Sequence, residues 1–214
     1  MLRKTKLILI ITIFFVVSLT INVGAESNYN WDNLIKTVNY QLQENKDDIL
    51  LNYSLAVAYA NTGEIKKAYD IIDNFGSSVS RHEFNAAVFS YLADWYNYQQ
   101  SDNLFYLNCA AFQAVINKKY AEAVNIFEYA LKLDQNNYWL INNLAAALLE
   151  LDRYDLALDY ANQALVMAEN EYSHLIKGVA YYKKGDYIRA LVEAASARKL
   201  FKALADEEYQ DFTQ

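Results

Sequence analysis

The stretch 154–197, YDLALDYANQALVMAENEYSHLIKGVAYYKKGDYIRALVEAASA, decides the fold. Tyr154-x-x-Ala157 opens it, and the same pattern returns near its end as Tyr187-x-x-Ala190. Between them apolar residues recur at three- and four-residue steps, the spacing that lines one face of an α-helix, and Lys184-Gly185-Asp186 interrupts the pattern as a turn. Working outward, the same aromatic-or-isoleucine-x-x-alanine pattern stands at Tyr120–Ala123 and Ile65–Ala68. The alanines Ala68, Ala123, Ala157 and Ala190 thus include three that follow one another at a nearly constant interval. A period of about 34 residues marks a helical hairpin that cannot bury its own apolar face and must stack on a neighbour. The interval from Ala68 to Ala123 is longer, with room for one extra helix and its turn.

The rest of the chain fits this scheme. It has no proline and five glycines, and turn signals punctuate it at 45–48, 61–63, 76–78, 101–102, 117–119, 134–137, 152–153, 169–171 and 184–186. Ser80 followed by Glu83 makes a capping box, so a helix starts near Arg81. About ten helices are predicted, near 30–45, 48–61, 64–75, 81–99, 103–117, 120–133, 137–151, 154–168, 171–184 and 187–203. The expected fold is all-α, an α-solenoid of stacked antiparallel helix pairs over 26–204. Its units fall near 49–80, 104–137, 138–170 and 171–204, with the extra helix at 81–99 and an acidic, fraying tail at 205–214.

These residues resemble the tetratricopeptide repeat family. The fourth unit carries the resemblance most fully, with Gly178, Tyr181, Gly185, Tyr187, Ala190, Ala194 and Ala197 in the family's order. The third offers Leu144, Ala145, Leu148, Tyr154, Ala157, Ala161 and Ala164, and the second Ala110, Ala111, Ala114, Tyr120, Ala123, Phe127 and Ala130. The first is weaker, with Phe75 where a small residue is usual; the family's unit-end proline is absent, and Lys177 replaces an apolar residue. The resemblance implies a right-handed superhelix whose first helices line a concave surface. Carried onto this chain, that lining includes Tyr53, Phe105, Asn108, Phe112, Trp139, Asn142, Tyr172 and Tyr182, while Ala68, Ala123, Ala157, Ala190, Tyr120, Tyr154 and Tyr187 hold the hairpins together. The family's carboxylate clamp is not expected, since Tyr53 and Val57 stand where its first lysine and asparagine belong and only Asn143 matches.

At the other end, Arg3, Lys4 and Lys6 precede an apolar run from Leu7 and the small residues Val23-Gly24-Ala25. That order predicts a signal peptide over 1–25. The alternative is an uncleaved anchor, because Leu7–Val23 reaches the lower edge of the roughly 17–25 residues that span a bilayer. Export to the periplasm of a bacterium is the expected location, or attachment to the inner membrane facing it. Removing three positive charges with the leader takes the formal charge from −7 to −10, which disfavours nucleic acid and anionic lipid as partners.

No catalytic arrangement is legible. His82 and His174 stand far apart in the chain with no metal-ligand spacing. Cys109 has no second cysteine to pair with and lies in an apolar run, and no phosphate-binding glycine loop or serine nucleophile motif occurs. Asp47-Asp48 suits a helix start and Asp206-Glu207-Glu208 a solvated end. No cofactor or metal is predicted. The expected function is a non-catalytic scaffold that holds another protein's peptide or amphipathic helix in an aromatic groove, where tyrosine and tryptophan fill pockets. Three other arrangements stay open: self-association through the terminal hairpin, binding of a small ligand or envelope glycan, and a groove filled by the N-terminal helix with Trp31 or by the extra helix with Trp95 and Tyr96.

Overall fold

The computed structural model describes residues 29–92 and 102–211. Among the described residues there are eleven α-helices and no strand. They are α1 (Trp31–Leu42), α2 (Ile49–Ala60), α3 (Ile65–Ser78), α4 (Arg81–Leu92), α5 (Leu104–Ile116), α6 (Tyr120–Leu133), α7 (Tyr138–Leu149), α8 (Tyr154–Met167), α9 (Glu171–Lys183), α10 (Tyr187–Ser196) and α11 (Arg198–Asp211). The pairs α2/α3, α5/α6, α7/α8 and α9/α10 are the four hairpins, and α4 is inserted between the first and second. The expected leader at 1–25, and Trp95 and Tyr96 of the expected extra helix, lie outside the described residues.

Short polar side chains start the helices. Asn30, Asp48, Asn103, Asn137, Asn170 and Asp186 each accept a hydrogen bond from an otherwise unbonded amide in the first turn, for example Leu140 N–H to Asn137 at 3.0 Å and Ser173 N–H to Asn170 at 2.8 Å. The capping box forms: Glu83 N–H donates to Ser80 Oγ at 3.2 Å and Ser80 N–H to Glu83 Oε2 at 3.0 Å.

The turn inside each hairpin is the same structure four times. Just before the second helix, Gly63, Lys118, Asp152 and Gly185 have φ of 83°, 60°, 57° and 80°. The next amide reaches back into the first helix: Glu64 to Tyr59 at 3.0 Å, Lys119 to Ala114 at 2.8 Å, Arg153 to Leu148 at 3.0 Å and Asp186 to Tyr181 at 2.9 Å. This is the left-handed helix end that satisfies the last carbonyls of the first helix. It fixes the antiparallel return and recurs because the sequence unit recurs.

Small residues then let the helices close. Ala111, Ala123, Ala130, Ala145, Ala157, Ala161 and Ala164 are wholly buried. One core joins α5, α6 and α7 through Leu107, Ile126, Phe127, Leu140, Leu144 and Leu148; another joins α7, α8 and α9 through Ala145, Ala161 and Ile176. Ala68 and Ala190 are half-buried, with Ala190's carbonyl only 3.6 Å from where Gly178 would carry a Cβ. Tyr120 and Tyr154 are half-buried beside these seams.

The C-terminal part departs from expectation. The sequence predicts a single helix at 187–203, but the chain breaks at Ala197, where φ is −94° and ψ 22°. The helix then restarts as α11 and continues to Asp211, so the segment after 204 begins as helix. A tertiary contact fixes the new direction: Leu200 N–H donates to Glu171 Oε2 at 2.7 Å, tying the start of α11 to the start of α9. Tyr187 is 62% exposed, and among the described residues no further hairpin stacks on α10 to cover it.

Candidate functional site

The first helices of units two to four, α5, α7 and α9, should together present the concave surface, and α5 shows what happens to it. Leu104, Leu107, Ala111 and Ala114 of α5 face the α6–α7 core. Phe105 and Cys109, on another side of the same helix, face a separate core built with Trp31, Leu34, Val38, Tyr53, Val57, Phe84 and Val88, and Phe112 packs against both cores. That second core belongs to α1, α2 and α4. The inner side of α5 is therefore covered by the chain's own N-terminal elements.

The aromatic geometry makes the covering specific. Tyr29 stacks on Phe105 with centroids 5.8 Å apart and planes 14° from parallel, and Trp31 approaches the same ring at 6.4 Å. Tyr53 meets Phe84 of α4 edge-on at 5.1 Å, and its hydroxyl donates to the Cys109 carbonyl. Burial, with Cys109 nearby, pushes the phenols of Tyr53 and Tyr29 well above their ordinary range, and burial alone does the same to the Cys109 thiol. Cys109 is a neutral core residue here.

The first hairpin extends the covering to α7. Its turn lies on Trp139 so closely that a Cβ on Gly63 would fall 2.1 Å from the indole Cζ2. Asn143 Nδ2 donates to the Ala60 carbonyl at 3.4 Å, linking two parts of the chain far apart in sequence. On α9, burial raises the Tyr172 hydroxyl to about 12, with Tyr69 of α3 adding to the shift. Thus α2 and the turn that follows it reach α5 and α7.

Each expected lining residue can now be placed. Tyr53, Phe105, Asn108 and Asn142 are buried, so in this state they serve packing and are not open to a ligand. Phe112, Trp139 and Tyr172 are half-buried, Phe112 against Phe127 edge-on at 5.3 Å. Tyr182 is exposed and touches Tyr187 at 5.7 Å. Of the fillers left open by the sequence, α1 with Trp31 and the described part of α4 take part. The α2–α3 hairpin joins them, although the family pattern places it in the wall of the groove.

Polar residues follow the repeat as well. Asn142 receives a hydrogen bond from Ser173 Oγ at 2.7 Å and donates to Asn170 at 3.2 Å. Asn108 holds the equivalent place one unit earlier, donates to Leu104 O at 2.8 Å and leaves its Oδ1 without a partner. Between α9 and α10 the seam is ionic: Glu193 meets Lys177 at 2.7 Å and His174 Nδ1 at 2.6 Å, and His174 Nε2 meets Glu169 at 2.6 Å. Burial works to raise the Glu193 carboxyl, but its bonds to Lys177 and His174 outweigh this and hold it below the ordinary value. Lys177, out of place beside the family pattern, has its partner here. Among the described residues no group of histidine, cysteine or carboxylate side chains could hold a metal ion, and no helix is long and apolar enough to cross a membrane.

Comparison with known proteins agrees with the hairpin geometry. The sequence model of the tetratricopeptide repeat family matches residues 114–179, which run from the end of α5 into α9. Over these residues the chain is similar to the tetratricopeptide repeat family. A TPR repeat-containing protein of Methanocaldococcus jannaschii is 34% identical to this repeat protein over 94 residues, which are 41% of this chain and 17% of the relative. The repeat protein is also similar to the solved structure of MamA MSR-1, with a TM-score of 0.46, 20% identity, and coverage of 79% of this chain and 92% of the other. For MamA AMB-1 the TM-score is 0.44 at 21% identity, covering 79% and 88%.

Proposed function

We propose that this repeat protein is a non-catalytic scaffold that docks another protein outside the cytoplasm, and that its concave lining is held by its own first hairpin until a partner's helix or peptide replaces it. The observation that carries the reading is the seating of the α2–α3 turn on Trp139, with Asn143 bonded to the Ala60 carbonyl. An intramolecular helical hairpin already uses this surface, so its chemistry suits a helix with aromatic and apolar side chains. Docking then competes with the internal occupant, and apparent affinity falls by the fraction of molecules whose groove is open. Export rests on the basic and apolar character of residues 1–25.

Crosslinking capture of partners from an envelope extract tests the scaffold, with wild type and a Trp139→Ala variant as bait and circular dichroism as the fold control. The variant is expected to lose most of the captured partner. Equal capture by a folded variant overturns docking on this surface. Fractionation of the expressing cells tests the location, and recovery with the cytoplasm overturns export.

A further inference from the structure

The second helix of the last hairpin breaks the polarity pattern of its predecessors. Aligned on Tyr120, Tyr154 and Tyr187, the position of Ile188 is Ala121 in unit two and Asp155 in unit three; that of Val192 is Asn125 and Asp159; that of Ala195 is Glu128 and Asn162. In units two and three these side chains face water, as the outer side of a solvated hairpin should. In unit four the same side is apolar and still in water, with Ile188 79% and Val192 62% exposed. Leu191 adds a second departure. Its counterparts Val124 and Leu158 are buried, yet Leu191 is 72% exposed, because α11 turns toward α9 at Leu200 and leaves α10 open.

Ile188, Leu191, Val192 and Ala195 are spaced i, i+3, i+4 and i+7, so they form one stripe along α10, and Tyr187 with Tyr182 extends it. Tyr182, Tyr187, Ile188, Leu191 and Val192 are each at least 62% exposed, a contiguous apolar patch on the order of several hundred Å², the size that marks an interaction site and approaches one partner's share of a standard interface. We propose that this stripe is the interface of a dimer, in which α10 of one copy packs on α10 of a second copy of the same chain.

Charge selects that occupant. No charged residue stands within the stripe. The charges beside it are paired inside the copy: Arg189 with Asp186 at 2.5 Å, Lys184 with Asp155, and Glu193 with Lys177 and His174. The other cations of this end, Lys183, Arg198, Lys199 and Lys202, stand on α9 and α11. An acidic helix or an anionic lipid surface would find no ring of free cations on α10, whereas a second uncharged stripe meets it without leaving a buried charge unpaired. The opposite end of the array is capped, since α1 buries Trp31, Leu34 and Val38. The stripe meets its own counterpart across a two-fold axis, so association closes at two copies and does not run on into a filament. The dimer does not depend on what the concave side holds.

The test uses the full chain in expressing cells. Leu191→Cys is expected to give a disulfide-linked dimer on oxidation, and Asp159→Cys, on the solvated side of unit three, none. The native Cys109 is buried and stays silent. Ile188→Asp with Val192→Asp restores the polarity of unit three, so the fold should survive. In chain recovered from the cells, this pair is expected to weaken dimerisation at least about 30-fold by sedimentation equilibrium. A wild-type chain that stays monomeric at high concentration overturns the proposal, as does a dimer indifferent to the two aspartates. A monomer that instead sediments with phosphatidylglycerol vesicles assigns the stripe to lipid and also overturns it. Partner capture by the Trp139→Ala variant, which leaves the stripe untouched, is a separate readout, so failure of the docking reading and failure of the dimer remain distinguishable.

Discussion

Gly63→Ala measures how firmly the first hairpin is seated, because Gly185 provides a matched control. Both glycines occupy the same turn position with nearly the same φ, 83° and 80°. A Cβ in the left-handed region costs about 1–2 kcal/mol, and the alanine's smaller unfolded-state entropy returns about 0.4–1 kcal/mol. Those contributions are common to both sites. The surroundings differ: nothing lies within 4 Å of a Cβ on Gly185, while one on Gly63 would overlap Trp139 at 2.1, 2.3 and 2.7 Å. The indole belongs to a wide ring wedged between α7 and the turn, so it or the hairpin must move, at an overpacking cost of about 1–3 kcal/mol.

Gly63→Ala should therefore destabilise by about 1–3 kcal/mol more than Gly185→Ala. Urea unfolding followed by circular dichroism gives each value, and indole fluorescence should shift for Gly63→Ala only. Combining Gly63→Ala with Trp139→Ala removes the overlap, so the double-mutant cycle should return a coupling of similar size, about 1–3 kcal/mol. Equal losses at the two glycines together with zero coupling would refute the seating of the turn on α7, and with it the occupied groove.

Two further outcomes follow from the polar residues. Asn142→Ala should cost about 1–2 kcal/mol in urea unfolding, since it removes the buried bonds to Ser173 Oγ and to Asn170 Oδ1 and leaves the Ser173 hydroxyl only Asn170 Oδ1, at 3.0 Å, whereas Asn108→Leu should be close to neutral because Asn108 Oδ1 has no partner to lose; similar losses at both sites would show that the two asparagines are not differently satisfied. Glu193 has a folded value below its ordinary 4.5, so the stability it contributes is present above that pH and lost as pH falls through it. The wild-type urea midpoint should accordingly drop more steeply than that of Glu193→Gln between about pH 5 and about pH 3, and parallel profiles would exclude the Lys177–Glu193–His174 cluster as the source.

Much of the architecture is written locally. The Ser80–Glu83 pair is a capping box in the sequence and in the structure, Asn137, Asn170 and Asp186 lie in turn signals and cap the helices that follow, and the periodic return of alanine anticipates the wholly buried Ala123 and Ala157. The break at Ala197 was not legible. Ala-Ala-Ser-Ala-Arg favours helix throughout, and the chain turns there for a contact between Leu200 and Glu171, which lies at the start of another helix. The open face of α10 could have been read. Asp155 and Asp159 in unit three against Ile188 and Val192 in unit four is a change of polarity at fixed repeat positions, visible once the units are aligned with one another as well as with the family pattern.

The occupied groove also had a sequence signature, and it is the opposite of the one that suggested an open groove. A first helix with one face on the next hairpin and the other toward a water-filled concavity should be amphipathic. The segments ILLNYSLAVAYA of α2, LFYLNCAAFQAVI of α5 and YWLINNLAAALL of α7 contain no charged residue. In α5, Phe105, Cys109 and Phe112 are apolar in their own right, in addition to Leu104, Leu107, Ala111 and Ala114. A helix apolar on every side has to be covered on every side. By contrast α9, EYSHLIKGVAYYK, carries Glu171, His174, Lys177 and Lys183, and toward its C-terminal end Val179 and Tyr182 reach water. The loss of charge from α2, α5 and α7 is thus the cost of keeping the groove filled: exposing it puts Phe105, Trp139 and Tyr172 into water together, so a partner must match the apolar contact of the hairpin it displaces and not merely add to it.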